Sequence, residues 1–418
     1  MDKYADLQQE LVRSLTERLL EVEYSLGKRN NFYEDIAIDR HIFDILVDHM
    51  WDRTAYAETI SELVKKVPNL NLELIDDVIM GDSNGAGEDN RNVARMGALL
   101  AGLPETIPGV TLNRLCGSGG EAVIQASRAI RLGDYNYVIA GGVESMSRAP
   151  WIVERDSKKK PEQTTDLVLN QSTVGWRMTN PKFPAEWIQS LGRCAEEVSQ
   201  RFGITRKQVD EWSLRSHQRA AVAWDKKIHD GFVVPFNGLT SDESIRRDTS
   251  LEKLGELPAA FSDTGTGTAG NSSPINDGAV AMLITNEINC AELGLPGIGR
   301  ILATQVTATK PNEFSRAPVS AIHKVLKKVD RKVSDIKVWE INEAFASVVL
   351  RYMQDLDLDP EVTNVNGGSI AMGHPLGATG GCLVSTMLDE LERRDAKRAM
   401  LSLCVGGGMG AAGLFEAC

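Results

Sequence analysis

The sequence predicts an α/β fold made of two related halves, with a charge-rich lobe inserted between them. Three observations predict it. From Ile75 onward, short apolar runs that end in glycine alternate with helix-forming stretches, the pattern of strands joined by crossover helices. Two parts of the chain echo each other: Gly117-Ser118-Gly119-Gly120 with Glu121-Ala122-Val123 parallels Ala378-Thr379-Gly380-Gly381 with Cys382-Leu383-Val384, and Val138-Ile139-Ala140-Gly141-Gly142 parallels Leu403-Cys404-Val405-Gly406-Gly407. Between the echoes, 151–236 carries more charge, including Lys158-Lys159-Lys160, and several tryptophans, which reads as a lobe and not as sheet.

Taken in order, Leu7, Leu11, Leu15 and Leu19 recur at helical spacing, so 1–34 is expected to be a helical segment with an amphipathic face. The first half is expected over 35–150 and 237–287. Within it, Ile75 to Gly81 and Val138 to Gly142 read as strands, and a helix is expected from Glu121. The lobe occupies 151–236. Ser272 to Gly278 forms a turn that leads into an apolar strand, Ala279 to Ile284, and the second half fills 288–418.

Composition sets the outer limits. A chain of 418 residues, 42% of them hydrophobic, is long enough for two or more cores. Its 46 basic and 58 acidic residues give a net charge of −12, which excludes nucleic acid as the expected partner and requires a local basic group for any anionic ligand. The six cysteines, Cys116, Cys194, Cys290, Cys382, Cys404 and Cys418, have neither metal-ligand spacing nor the density of a disulfide scaffold, so reduced thiols in the cytoplasm are expected. Charges interrupt the apolar pattern of Met1 to Leu20, which leaves no signal-peptide core, and no membrane span is expected.

Cys116 lies where a strand-like approach, Asn113-Arg114-Leu115, meets a glycine-rich turn ahead of a helix. Backbone N–H groups at a helix N-terminus favour a thiolate, so a nucleophile is expected there. Three later stretches set one reactive or polar side chain beside small residues: Asn342-Glu343-Ala344-Phe345-Ala346, Gly373-His374-Pro375-Leu376-Gly377-Ala378-Thr379-Gly380, and Cys404-Val405-Gly406-Gly407-Gly408-Met409-Gly410.

In this order, Cys, Asn, His and Cys resemble the thiolases, which cleave or form 3-ketoacyl-CoA thioesters; the resemblance covers roughly Leu74 to the C-terminus. It implies two βαβαβαββ halves in α-β-α-β-α layers, with a loop domain over coenzyme A. It further implies that Cys116 carries the acyl group, His374 accepts its proton, and Cys404 acts as acid or base. One oxyanion site would use His374 with a water held by Asn342, the other the N–H groups of Cys116 and Gly406. Arg246, Ser273, Leu191 and Phe345 match positions that contact CoA, a co-substrate; no permanently bound cofactor is implied, and a homodimer or homotetramer is.

Departures bear on the acyl chain and on the N-terminus. No glycine occurs between Gly27 and Gly81, so the family's first strand is expected to be replaced, by Asp35 to Ile38 or Ile42 to Val47. Ser190-Leu191-Gly192, Ser315-Arg316-Ala317-Pro318 and Pro274 differ from common thiolase residues. The segments from Gly87 to Met96 and Val174-Gly175-Trp176-Arg177 resemble 3-oxoadipyl-CoA thiolases, which makes Arg177 or Arg316 the expected ligand of a second carboxylate. A biosynthetic acetoacetyl-CoA thiolase and a non-catalytic scaffold are the alternatives. A ketosynthase would need histidine in place of Asn342, and a scaffold has no physical need for all four reactive residues.

Overall fold

The computed structural model describes residues 55–154, 168–236, 238–295 and 297–418. The helix expected over 1–34, both candidates for the first strand and the triple lysine lie outside these residues. In chain order, α1 (Ala55–Lys65), β1 (Asp77–Gly81), α2 (Val93–Leu100), β2 (Gly109–Leu112), α3 (Ser118–Leu132) and β3 (Tyr137–Ser145) open the first half. The inserted region holds β4 (Trp151–Val153), β5 (Leu169–Gln171), α4 (Leu191–Phe202) and α5 (Arg206–Asp225), and α6 (Leu251–Gly255) follows it, within the span expected to belong to the first half. β6 (Asp277–Thr285) then returns to the first sheet. The second half runs through α7 (Glu287–Glu292), β7 (Arg300–Ala308), α8 (Ala317–Lys328), β8 (Val338–Ile341), α9 (Ala346–Leu356), α10 (Ser369–Met372), α11 (Leu376–Arg393), β9 (Arg398–Val405) and β10 (Met409–Glu416).

The sheets are ordered β2-β1-β3-β6 and β7-β10-β9-β8. β1 runs parallel to β2 and β3, and β6 antiparallel to β3; likewise β8 is parallel to β9, and β10 antiparallel to it. β3 and β9, the strands echoed in the sequence, therefore hold equivalent places. In the second half a single parallel bridge from Trp339 to Thr363 stands beside β8. There the Asn364 side chain, not a ladder, satisfies the edge: its Oδ1 accepts the Ile341 N–H and its Nδ2 donates to the Ile341 carbonyl, each at 2.8 Å.

Burial on both faces explains the unbroken apolar strands. Val78 and Met80 of β1 pack outward with Ile60 of α1 and Val93 of α2, while Ile79 points inward to Ala122 and Val123 of α3. In the second sheet Leu401 and Leu403 face α11, and Met400 and Cys404 face α8 and α9. α3 and α11 pack together as the central layer. Their echoed glycines allow this, since a Cβ on Gly119 would stand 2.7 Å from the Gly377 carbonyl oxygen, and one on Gly380 would stand 2.3 Å from the Gly120 nitrogen. α-β-α-β-α layering results.

The inserted region differs from expectation in carrying a two-stranded antiparallel ribbon, β4 with β5. Its helices share a core with the second half, where Val198, Val209 and Trp212 pack in one cluster with Val348, Val349 and Tyr352. α6 packs on α5, and Arg206 at the start of α5 donates to the Leu254 and Leu257 carbonyls. β1 begins at Asp77, two residues inside the predicted run from Ile75, whereas β3 extends the predicted Val138 to Gly142 to Tyr137–Ser145, and α3 starts at Ser118, three residues before the expected Glu121.

Candidate active site

Cys116 sits on a tight turn directly before α3. Leu115 has φ +48°, and the turn is held by its N–H donating to Asn113 Oδ1 at 2.8 Å and by Ser118 Oγ donating to its carbonyl at 2.6 Å. Such a left-handed backbone is costly for leucine and persists only where surroundings enforce it. The thiol is buried. Burial pushes its pKa up to about 11, the Gly406 N–H opposes that rise, and the Glu144 carboxylate adds to it. This corrects the thiolate expected from helix placement: Cys116 stands outside the N-cap, Gly117, and the loss of solvation outweighs the helix terminus. A neutral thiol must lose its proton as it attacks.

His374 supplies a matching base. Its Nδ1 lies 2.7 Å from Thr379 Oγ1, whose own hydroxyl donates to the Pro375 carbonyl at 2.8 Å. Thr379 must therefore accept, so Nδ1 carries the proton and Nε2 the lone pair. On that side Asn342 Nδ2 is 3.2 Å from Nε2, and Ser369 Oγ donates to Asn342 Oδ1 at 2.6 Å, which fixes the amide's orientation. Burial lowers the imidazole pKa to about 4. Gly373, with φ +91°, has no room for a side chain, because a Cβ would stand 2.1 Å from Asn276.

Cys404, at the end of β9, is buried, and its thiol is raised far above the ordinary range by burial, with a further rise from Cys116. Gly407 and Gly408 take φ of +75° and +78° in the tight turn to β10. A Cβ on Gly406 would stand 3.0 Å from Leu115 Cδ1, 3.8 Å from Leu191 Cδ1 and 4.0 Å from Trp176. The second cysteine loop, the first cysteine's turn and the inserted region thus meet around Gly406.

Leu191, Ser273 and Phe345 lie in one neighbourhood. The Ser273 N–H and Oγ both donate to the Ala344 carbonyl, at 3.1 and 3.2 Å, and Phe261 stands edge-on to Phe345 and fills the space beside Gly192. Arg246 is exposed, and its backbone N–H donates to His217 Nδ1 at 3.1 Å. Its loop reaches toward His374 through Asn276, which donates to Ser244 Oγ at 2.7 Å and lies against Gly373. Of the two tail candidates, Arg316 is paired with Glu313 at 2.8 Å, whereas Arg177 donates to the neutral Asn84 at 3.0 Å and has no acidic partner among the described residues.

Two buried carboxylates escaped sequence reasoning. Glu343 accepts from Trp212 Nε1, Ser216 Oγ, Asn364 Nδ2 and the Ile370 N–H, and so joins α5 to the segment that carries Ser369 and His374. Glu144, at the end of β3, accepts from the Ser83, Asn84 and Gly377 N–H groups. An acid closing an apolar strand is the signal that marks Glu144 in the sequence.

Residues 43–288 match the thiolase N-terminal domain and residues 295–417 the thiolase C-terminal domain, and the chain belongs to the thiolase family. It is an acyltransferase of that class, and the match extends toward the N-terminus beyond Leu74. Among its relatives, beta-ketoadipyl-CoA thiolase of Acinetobacter baylyi is 41% identical over 369 residues, covering 85% of this chain and 91% of the relative. The 3-oxoadipyl-CoA/3-oxo-5,6-dehydrosuberyl-CoA thiolase of Escherichia coli K12 shares the same identity and coverage. A crystal structure of human mitochondrial 3-ketoacyl-CoA thiolase in complex with CoA superposes with a TM-score of 0.81 at 33% identity, covering 87% of this chain and 91% of that one.

Proposed function

We propose that this thiolase cleaves a 3-ketoacyl-CoA whose acyl chain ends in a carboxylate, with 3-oxoadipyl-CoA as the representative substrate. The observation that carries the carboxylate is Arg177, a cation whose partner among the described residues is the neutral Asn84, next in sequence to the Trp176 that covers Gly406. The names of the relatives described above agree with such a substrate.

In the proposed reaction Cys116 sulfur bonds to the 3-keto carbon while His374 Nε2 takes the thiol proton. Collapse of the adduct breaks the bond between C2 and C3 and leaves the acyl group on Cys116. Its electron pair departs on C2, which Cys404 protonates to release acetyl-CoA. The CoA thiol then attacks the acyl thioester and loses its proton to solvent, which also returns a proton to the Cys404 thiolate, and Cys116 leaves as a thiol with the proton held by His374. Gly406 and Cys116 N–H groups face the oxyanion of the acyl group, while Asn342 and His374 face the other. Leu191, Ser273 and Phe345 line the pantetheine arm and Arg246 meets the nucleotide end. A homodimer or homotetramer in the cytoplasm completes the reading; all six cysteines are free, which suits a reducing compartment.

The test is a thiolysis assay with purified protein, CoA and either 3-oxoadipyl-CoA or acetoacetyl-CoA, with products identified by mass. Higher kcat/KM for the dicarboxylate ester is expected. A preference for acetoacetyl-CoA would instead support the short-chain biosynthetic reading.

A further inference from the structure

Cys116 belongs to the first half and His374 to the second, so proton transfer between them depends on how the halves are registered. We propose that Glu144 is the positioning residue that sets this register, holding the nucleophile's turn and the base's helix on one carboxylate. The arm to the base is direct. α11 has 18 residues and no side-chain cap at its N-cap, Pro375; Glu144 Oε2, from the other half, accepts the Gly377 N–H at 2.8 Å in its place. His374 immediately precedes that N-cap, and Thr379, which holds His374 Nδ1, lies in the turn so anchored.

The arm to the nucleophile has three links. Glu144 Oε2 accepts the Ser83 N–H at 2.9 Å, the Ser83 carbonyl accepts from Asn113 Nδ2 at 2.6 Å, and Asn113 Oδ1 accepts the N–H of Leu115, whose positive φ presents Cys116. Glu144 Oε1 also accepts the Asn84 N–H at 3.2 Å, and Asn84 in turn holds Arg177.

Contact at this junction is backbone-close: a Cβ on Gly377 would stand 2.2 Å from the Val143 carbonyl oxygen and 2.9 Å from Glu144 Oε2. Glutamine cannot reproduce the arrangement, because its amide nitrogen donates and would face an N–H. Asp82 is the charged neighbour; its Oδ1 accepts the Asn84 and Gly85 N–H groups, and its Oδ2 is buried without a partner. The Glu144 charge is also felt at Cys116, which gives the role a readout separate from packing.

The inference rests on the acyl-Cys116 reading, and the experiment separates the two. Wild type, Glu144→Gln and Glu144→Asp are compared for kcat, KM, the single-turnover rate of Cys116 acetylation by acetyl-CoA, and the pH midpoint of Cys116 alkylation by iodoacetamide. In Glu144→Gln, acetylation and kcat should fall about 100-fold, the scale of a small misplacement of reacting groups, with KM for CoA changed by less than about twofold. The alkylation midpoint should move to lower pH in Glu144→Gln and stay in place in Glu144→Asp, which keeps the charge but shortens the reach. A folded Glu144→Gln with wild-type kcat, or a KM that rises as far as kcat falls, overturns the role. Should Glu144→Gln not fold, Asn113→Ala decides: slowed acetylation at unchanged KM supports the proposal, and wild-type acetylation overturns it. Absence of any acetyl group on wild-type Cys116 sinks the acyl-enzyme reading itself.

Discussion

Asn342 and His374, 32 residues apart in the chain, meet at 3.2 Å with the amide nitrogen on the imidazole Nε2. Ser369 and Thr379 fix the two partners from behind, so the base is a buried neutral imidazole with a defined tautomer. Because burial lowers its pKa to about 4, the base stays competent well below the ordinary histidine range. The kcat/KM for thiolysis, from initial rates, should stay flat as pH falls from about 7 to about 5 and drop only toward about 4. A midpoint near the ordinary value of about 6.5 would contradict the buried neutral base.

Cys116 should carry the acyl group. Incubation with acetyl-CoA is expected to add one acetyl mass, mapped to Cys116 by peptide digestion and absent in Cys116→Ser. Label on Cys404 or Cys194 would reverse the assignment of roles.

Cys404→Ala should leave that acetylation intact while slowing carbon–carbon cleavage and condensation about 10²- to 10⁴-fold, the usual contribution of a general acid or base. Comparing the half-reaction with full turnover measures both. Equal loss in the two would place Cys404 in acyl transfer instead.

Arg177 and Arg316 should separate. Arg177 has no acidic partner among the described residues, so Arg177→Met should lower the preference for 3-oxoadipyl-CoA over acetoacetyl-CoA by about 10- to 150-fold, the equivalent of a charge-assisted contact of roughly 1.5–3 kcal/mol. Arg316 is half-exposed and already paired with Glu313, so Arg316→Met should leave the ratio unchanged. The kcat/KM ratio for the two esters decides; an unchanged ratio in Arg177→Met removes the carboxylate from that side chain.

Gly380→Ala should loosen the junction between the halves. Its Cβ would meet the Gly120 backbone, 2.3 Å from nitrogen and 2.8 Å from Cα, where neither helix can yield locally. Overpacking of this kind costs about 1–3 kcal/mol, read as a lower denaturant midpoint. Gly255→Ala, where a Cβ meets nothing within 4 Å, is the control and should unfold like the wild type.

The two-half α/β plan and the reactive residue types were legible from the residues alone. Repeated glycine-rich turns require close backbone approach wherever they occur, and apolar runs of strand length must be buried, so these features are local and show in one dimension. Cys116, Asn342, His374 and Cys404 were legible because each stands beside small residues. Their protonation and their supporting partners came from packing in three dimensions. Burial, which no stretch of sequence states, turned Cys116 from an expected thiolate into a thiol and held His374 neutral. Ser369, Glu343 and Glu144 act through hydrogen bonds to groups distant in the chain, and the choice between Arg177 and Arg316 turned on whether an acid lay nearby. Such partners are set by how the two halves and the inserted helices pack, which a residue's own neighbours in sequence do not specify.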